Sequence, residues 1–500
     1  MNRILSGCGS LRPIFACLVV LGLCMTAAGA YAQDAPSVTV TQISSDPFTV
    51  GPGQHATEVE PHVLANGNTL VAAFQTGRIS PGGATAIGWA TSTDGGSTWT
   101  HGFLPGLTSG DDGGPYSAAS DPAVAYDAKH GVWIIESLPL NSSETPALVV
   151  SRSTDGGLTW NDPVSVGPNV VSSDKSWIVC DSTSTSPFYG NCYAEWDNPF
   201  SGDEIFMSTS SDGGLSWGAA TATSNKATGI GGQPLVQPNG TVVVPIETSG
   251  ISAFTSSDGG VTWSKPVTVA SIQTHTDAGG IRSSPLPSAA LDGAGRVWVV
   301  WQDCRFRSHC ASNDLVYSTS SDGATWSAVK RVPIDSTAST VDHFIPGIGI
   351  DPATSRATAH VGIHYYYYPK TSCTKSTCRL FVGYISSANG GSTWSAPIKL
   401  AGPMQLGWLP NSQNGLMVGD YIATAFNNGV PHGVFAVAFS KSGTTFREAM
   451  NTAQGLTVAE DGPQFSSAND KPLHNLSDKI EKERPEKAVP PSKRAARSAK

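Results

Sequence analysis

Ionisable and aromatic residues stand at places that apolar strands would otherwise avoid. Short apolar runs open with Glu58, Glu60 and His62, with Asp121, with Asp174 and Lys175, with Gln233, with Arg282, with Asp342 and His343, and with Asp420 and Tyr421. Other loops bring Arg78, Glu136, Glu195 with Asp197, Glu247, then Asp303, Arg305, Arg307 and His309, and the run Tyr365 to Tyr368. Arginine forks hold carboxylates through paired hydrogen bonds. Aromatic rings offer an apolar face with a polar tip. Carboxyl groups in an apolar setting hold protons closer to neutrality than free ones do. Gathered in one place, these residue types suit an anionic, hydroxyl-rich ligand.

A repeat is what would gather them. STDGGSTW (Ser92 to Trp99) returns as STDGGLTW (Ser153 to Trp160), SSDGGLSW (Ser210 to Trp217) and SSDGGVTW (Ser256 to Trp263). Shorter copies follow as SSDGATW (Ser320 to Trp326), SANGGSTW (Ser387 to Trp394) and SKSGTTF (Ser440 to Phe446). A period of this size means a solenoid, propeller or array. Each copy reads as a tight turn: the Asp accepts backbone N–H groups, the glycines take positive φ, and the Trp packs between sheets. Around each copy the sequence reads as four strands, the first often carrying Pro-x-x-x-x-Asp, as in Pro122/Asp127, Pro287/Asp292 and Pro346/Asp351. The expectation is an all-β propeller of four-stranded blades, seven repeats counted and six possible, with the turns on one face. Pro36 to Ile43 alternates like the strand after several copies, so it is expected to close the ring by pairing into the last blade.

The motif S-x-D-x-G-x-T-W resembles the Asp box of sialidases and related β-propellers. The resemblance covers about residues 37–450. It implies three arginines on a sugar carboxylate, a Tyr nucleophile assisted by a Glu base, and an Asp acid. It also implies a tyrosine-mediated hydrolysis that can retain anomeric configuration. Where sialidases carry Phe/Tyr-Arg-Ile-Pro at the first strand, this chain reads Glu58-Val59-Glu60-Pro61-His62. Carried onto this sequence, the catalytic candidates are Tyr366, Glu247, Asp121 and Asp174. The substrate-binding candidates are Arg282, Arg305, Arg307, His343 and Tyr368. Each has a structural alternative: an ion pair for Arg282, loop solubility for Arg305 and Arg307, strand packing for the tyrosines, a strand end for Glu247, turn capping for Asp121 and Asp174, and a hydrogen-bonded core position for His343. The resulting expectation is an exo-sialidase-like glycoside hydrolase, with a non-catalytic propeller binding glycan or protein as the alternative.

Composition sets the context. Residues 33–470 hold 19 Lys and Arg against 35 Asp and Glu, a balance of −16, which argues against nucleic acid as a partner. Residues 1–32 read as a secretory signal: Arg3 and Arg12, an apolar run from Ile14 to Met25, and Ala30-Tyr31-Ala32 before the cleavage point. That run is too short for a membrane span. The expectation is a secreted or periplasmic protein with no integral membrane segment, a propeller over 33–460, and a disordered basic tail over 461–500. Six cysteines beyond the signal form the close pairs Cys180/Cys192, Cys304/Cys310 and Cys373/Cys378, expected as disulfides in an exported chain, with free thiols as the alternative. No cofactor motif is present, and no metal site is expected, because each box carries one carboxylate where calcium takes several oxygen ligands.

Overall fold

The computed structural model describes residues 38–140, 147–167, 173–459, 465–468 and 470–472. The expected signal (1–32) and most of the expected tail lie outside the described residues. The body is all-β: among the described residues the only helical elements are short 3-10 turns.

Its strands form four-stranded antiparallel sheets. Sheet I holds Gln54–Asn66, Thr69–Arg78, Ala84–Ser92 and Thr100–Phe103. Sheet II holds Ala118–Asp127, Val132–Leu140, Leu148–Ser153 and Val164–Val166, and one pairing, Ala84 with Ala119, joins it to sheet I. Sheet III holds Asp174–Cys180, Cys192–Asn198, Glu204–Ser210 and Thr221–Ala222. Sheet IV holds Leu235–Val236, Val242–Glu247, Ile251–Ser256 and Val267–Ala270. Sheet V holds Ser288–Leu291, Val297–Asp303, Asp314–Ser320 and Lys330–Arg331. Sheet VI holds Asp342–Ile350, Val361–Tyr368, Arg379–Ser387 and Ile398–Gln405. Sheet VII holds Ala423–Asn427, Val430–Ala438, Glu448–Gln454 and, as its outer strand, Thr39–Gln42.

That last strand meets the expectation for the N-terminal segment: Thr39 pairs with Gln454 and Gln42 with Asn451. First strands of successive sheets lie against one another, and Ala423–Asn427 returns against Gln54–Asn66. All of them contribute to the wall of one cavity of about 410 Å³, mostly apolar, with Leu64, Tyr126, Val179, Leu235 and Leu291 among its lining.

The core lies between sheets, because both faces of the central strands are apolar. Val297–Asp303 is buried along its whole length. Trp298, Val300, Ile363, Tyr365 and Trp394 pack sheet V against sheet VI, and Tyr193, Met207, Val244 and Trp263 pack III against IV. Fully burying side chains of this size contributes roughly 2–3 kcal/mol each.

The boxes are built from their own side chains. Ser92 Oγ donates to Asp94 Oδ1 at 2.8 Å and accepts from Gly96 N at 2.8 Å, while Asp94 accepts from Thr98 N at 2.8 Å and from its hydroxyl at 2.6 Å. The same set recurs around Asp155, Asp212 and Asp258; around Asn389, in the copy that has lost the carboxylate, the amide Nδ2 donates to the Thr393 hydroxyl instead. Hydrogen bonds from Thr98, Thr159 and the Thr325 backbone hold Asp94, Asp155 and Asp322 down to about 2.

Six copies follow the third strand of their sheet. The seventh does not. Ser440 to Phe446 lies between the second and third strands of sheet VII, where Ser442 and Thr445 close a small turn. Reading it as a worn box is therefore corrected. The outer strand of sheet VII comes from the other end of the chain, so no turn from third to fourth strand exists there for a box to make.

All three expected disulfides form: Cys180–Cys192, Cys304–Cys310 and Cys373–Cys378. No helix among the described residues is long and apolar enough to cross a membrane.

Candidate functional site

Four first strands are broken at the same level by one residue of left-handed backbone: Glu60 (φ 55°), Asp121 (φ 46°), Lys175 (φ 45°) and Ile345 (φ 49°). In each, the register with the second strand slips there, between Val59 and His62, Ser120 and Ala123, Asp174 and Trp177, and Phe344 and Gly347. In three of the four a proline follows, a neighbour that favours extended backbone before it. A non-glycine residue held this way costs about 1–3 kcal/mol and persists where the surroundings impose it. A bulge also re-aims its side chain. Here it turns Glu60, Asp121 and Lys175 toward one another.

Lys175 is the centre. Its Nζ lies 3.6 Å from Glu60 Oε1, 3.8 Å from Asp121 Oδ1, and in direct contact with Asp420 Oδ2. Asp420 is also gripped by Arg282, whose Nε is 2.5 Å from Oδ1 and whose Nη2 meets Oδ2. The Asp420 backbone N–H donates to Glu60 Oε1 at 3.2 Å. Arg78, from the end of the second strand of sheet I, donates to Gln75 Oε1 at 2.7 Å and to the Gly83 carbonyl at 3.1 Å, and its buried Nε has no hydrogen-bond partner. Gln75 in turn contacts Glu60 and donates to Ser120 Oγ at 3.1 Å.

Burial sets the charges. It lifts Glu60 to about 8 and Asp174 to about 6 against the pull of Lys175. Burial also opposes the charge on Lys175, but Asp121, Asp420 and Glu60 carry it above the ordinary lysine range. Asp420 is driven well below the carboxylate range because Arg282 and Lys175 outweigh its burial. Cations and carboxylates thus meet in one buried cluster, with Lys175 and Arg282 already engaged by Asp420. An incoming carboxylate has to displace Asp420 from Arg282.

Under this network lies an aromatic layer. Trp177 lies between His62, tilted against it (ring centroids 4.4 Å), and Tyr421, edge-on to it (5.0 Å), and the Tyr421 hydroxyl donates to the Pro122 carbonyl at 3.2 Å. Both His62 and Trp177 line the apolar cavity as well, so the layer separates it from the charged pit.

A second polar cluster adjoins Arg282. Asp277 accepts from Ser283 Oγ at 2.5 Å, from Gln302 Nε2 at 3.3 Å and from Asn313 Nδ2 at 3.0 Å. Asp342 accepts from Asn313 N at 2.7 Å, and its other oxygen lies 3.7 Å from His275 Nε2. Both acids accept from Asn313, and burial lifts Asp277 to about 6 and Asp342 to about 9.

The structure brings Asp121, Asp174 and Arg282 together and separates the rest. Tyr366 is buried between sheets VI and VII with its hydroxyl donating to the Ala436 carbonyl at 3.0 Å, so its ring is a packing element and the nucleophile reading is corrected. Tyr368 is buried with its hydroxyl unbonded, within electrostatic reach of Asp277 and Asp342. Glu247 is buried at its strand end, its backbone paired with Ile230. Arg305 folds back on Asp303 (2.8 Å from Nε to Oδ1) and the Ser271 carbonyl. Arg307 is buried against Asp314 and Asp335, 2.5 Å from each, and donates to the Ser336 and Ser339 carbonyls. His343 bonds the Asn313 carbonyl at 3.2 Å, and burial pulls it down to about 4. Arg305, Arg307 and His343 are therefore structural, which corrects their assignment to substrate. Asp314, Asp335 and His343 have ligand atoms within 4.8 Å of one another, but Arg307 and Arg331 already neutralise the two carboxylates, a poor donor set for a cation.

The catalytic and binding candidates leave out Glu60, Arg78, Lys175, Asp420, Tyr421 and Asp277. All but Asp277 carried a signal, as polar residues at strand starts or in the loops between strands. Asp277 sits in an aperiodic loop and carried none.

Residues 188–347 match the BNR repeat-like domain family. A sialidase from Bacteroides fragilis is 33% identical over 110 residues, 18% of this chain and 20% of that protein, so the match spans a small part of the relative's length. Among solved structures, a Hadza microbial sialidase aligns at a TM-score of 0.42 with 18% identity, covering 62% of this chain and 64% of that one. Trypanosoma rangeli sialidase in complex with sialic acid aligns at 0.43 with 12% identity, covering 84% and 59%. The chain matches the BNR repeat-like family over residues 188–347 and resembles the sialidase-like BNR-repeat proteins.

Proposed function

We propose that the chain is a secreted, sialidase-like glycoside hydrolase acting on terminal acidic sugars, built on a seven-bladed propeller over 33–460 with its boxes on the face away from the charged pit. The observation that carries this reading is the convergence of Arg78, Lys175 and Arg282 with Asp121, Asp174 and Tyr421 in one buried cluster. Arg282 and Lys175 would take the sugar carboxylate in place of Asp420. Asp174 is half-buried at the rim, lifted by burial to about 6, and would donate the proton to the leaving oxygen. Tyr421 is the tyrosine beside the acids and would take the nucleophile's place once its hydroxyl turns from the Pro122 carbonyl. Residues 1–32 would direct export.

The test is turnover of a fluorogenic sialoside by the purified protein and by Arg282→Ala. Release of fluorophore that Arg282→Ala abolishes supports hydrolysis. A second reading, glycan binding without hydrolysis, is favoured by the grip of Asp420 on Arg282. Retention of sialylated glycans on an array without turnover selects it.

A further inference from the structure

Arg282 comes from the connection between sheets IV and V, yet the segment that carries it rests on sheet VI and the residues just after it. Two close backbone approaches hold it there. At Gly279 the chain lies against the Cys373–Cys378 loop: any side chain there would run into Leu406 Cδ1 and stand 3.1 Å from Cys378 Sγ and 3.4 Å from Lys375 Cα. A side chain at Gly415 would stand 2.7 Å from the Gly280 carbonyl oxygen and 3.2 Å from Arg282 N. Ile281 is buried in the same apolar cluster as Cys378, Leu406 and Leu416, with Ala278 and Cys373 packed at its edge. Arg282 N donates to the Leu416 carbonyl at 2.8 Å beside the Ile281–Leu416 bridge.

Of these supports, the loop depends most on a covalent bond for its shape. Thr374, Lys375, Ser376 and Thr377 are all exposed, so no apolar side chain between the two cysteines anchors it. Its hydrogen bonds are largely its own: Cys378 N donates to the Thr374 carbonyl at 2.8 Å, and Thr374 N to Thr377 Oγ1 at 2.8 Å. Its entry is tied outward where Thr371 N donates to the Thr340 carbonyl at 3.0 Å. A cross-link removes most of the conformations open to so short a polar segment. Without it, the surface that Gly279 rests on is free to move away.

We propose that the closed Cys373–Cys378 loop positions Arg282: it is the wall against which Gly279 seats, and through Gly279 it sets the register of Arg282 with Asp420. Gly279, Cys373 and Cys378 are thus positioning residues, and completion of the charged cluster is coupled to formation of this disulfide in an oxidising compartment. The significance for ligand rests on the reading of Arg282 as a sugar contact. The positional claim does not, and it is tested without ligand.

The experiment is amide hydrogen exchange of the full chain, comparing the Arg282 amide with that of Ile230, which donates to the Glu247 carbonyl at 2.8 Å in a similar isolated bridge at sheet IV. In the double variant Cys373→Ala, Cys378→Ala, the Arg282 amide is expected to lose about tenfold or more of its protection while Ile230 keeps its own. Gly279→Ala disturbs the same wall with the disulfide intact, and the same selective loss is expected. Gly280→Ala is the control. Its φ of 74° is as left-handed as the 80° of Gly279, but an added Cβ there meets nothing within 4 Å. Arg282 protection in Gly280→Ala is expected to stay within about twofold of native. Native protection of Arg282 in the cysteine variant, equal losses at Arg282 and Ile230, or equal effects of Gly279→Ala and Gly280→Ala overturn the proposal. Should the cysteine variant fail to fold, the two glycine variants decide. Failure of sialoside turnover leaves this measurement untouched.

Discussion

Arg282 and Asp420 meet through two nitrogens and two oxygens, and Lys175 from sheet III closes on the same carboxylate. The strand after Asp420 belongs to sheet VII, so this ion network ties together sheets that are far apart in sequence. Removing one member leaves the others charged and buried. Asp420→Ala is expected to destabilise the protein by about 3–5 kcal/mol, because Arg282 then loses its carboxylate partner and stays buried beside Lys175. Denaturant unfolding with an unchanged slope measures it.

The two tyrosine positions separate packing from chemistry. Tyr366→Phe removes one hydrogen bond to the Ala436 carbonyl and is expected to cost about 1 kcal/mol while leaving sialoside turnover within about twofold of native. Tyr421→Phe is expected to keep the ring contacts with Trp177 and to lower kcat by about a hundredfold or more. Equal effects of the two changes on kcat would remove Tyr421 from the mechanism.

Asp174 gives the pH dependence. Its folded value is raised to about 6, so the protonated form needed for a donor is present below that pH and lost above it. Turnover is expected to fall as pH rises through about 6. Asp174→Asn should abolish that limb along with most of the rate, and a profile flat from pH 5 to 7 argues against Asp174 as the donor.

The boxes behave oppositely. Asp155 and Asp322 titrate near 2 in the folded chain, below the ordinary aspartate value, so their stabilising effect is fully present above about pH 4 and is lost as pH falls through about 2. Asp258→Ala removes the same set of turn hydrogen bonds from one copy. It is expected to cost about 1 kcal/mol and to leave ligand binding unchanged. Acid unfolding followed by tryptophan fluorescence reads both.

The scaffold was legible because a box makes its own hydrogen bonds. Ser92, Asp94, Gly96 and Thr98 satisfy one another within a few residues, so their spacing alone announces the turn. Ser440 to Phe446 misled for the same reason: it shares the small and hydroxyl residues, and only the partner of the strand after it, Thr39–Gln42, shows that no box belongs there. The site was half legible. Polar residues at strand starts marked Asp121, Asp174 and Arg282. Alternation could not say which face of Tyr365 to Tyr368 meets the next sheet, and three of the four are buried. Asn313 brings Asp277, from an aperiodic loop, beside Asp342, from a distant strand, which nothing local encodes.

The strand Thr39–Gln42 has a consequence for how the molecule is made. Among the described strands it leaves the ribosome first, and its partner, Glu448–Gln454, last. Until then sheet VII lacks its outer strand and Thr39–Gln42 is an unpaired edge, the kind of segment that invites pairing with another chain. Contacts so far apart in sequence are slow to form, because they close a long loop. Completion of sheet VII is thus the step at which a nascent chain stops being vulnerable to its neighbours, and shortening the N-terminal strand would prolong that interval more than any change at the charged pit.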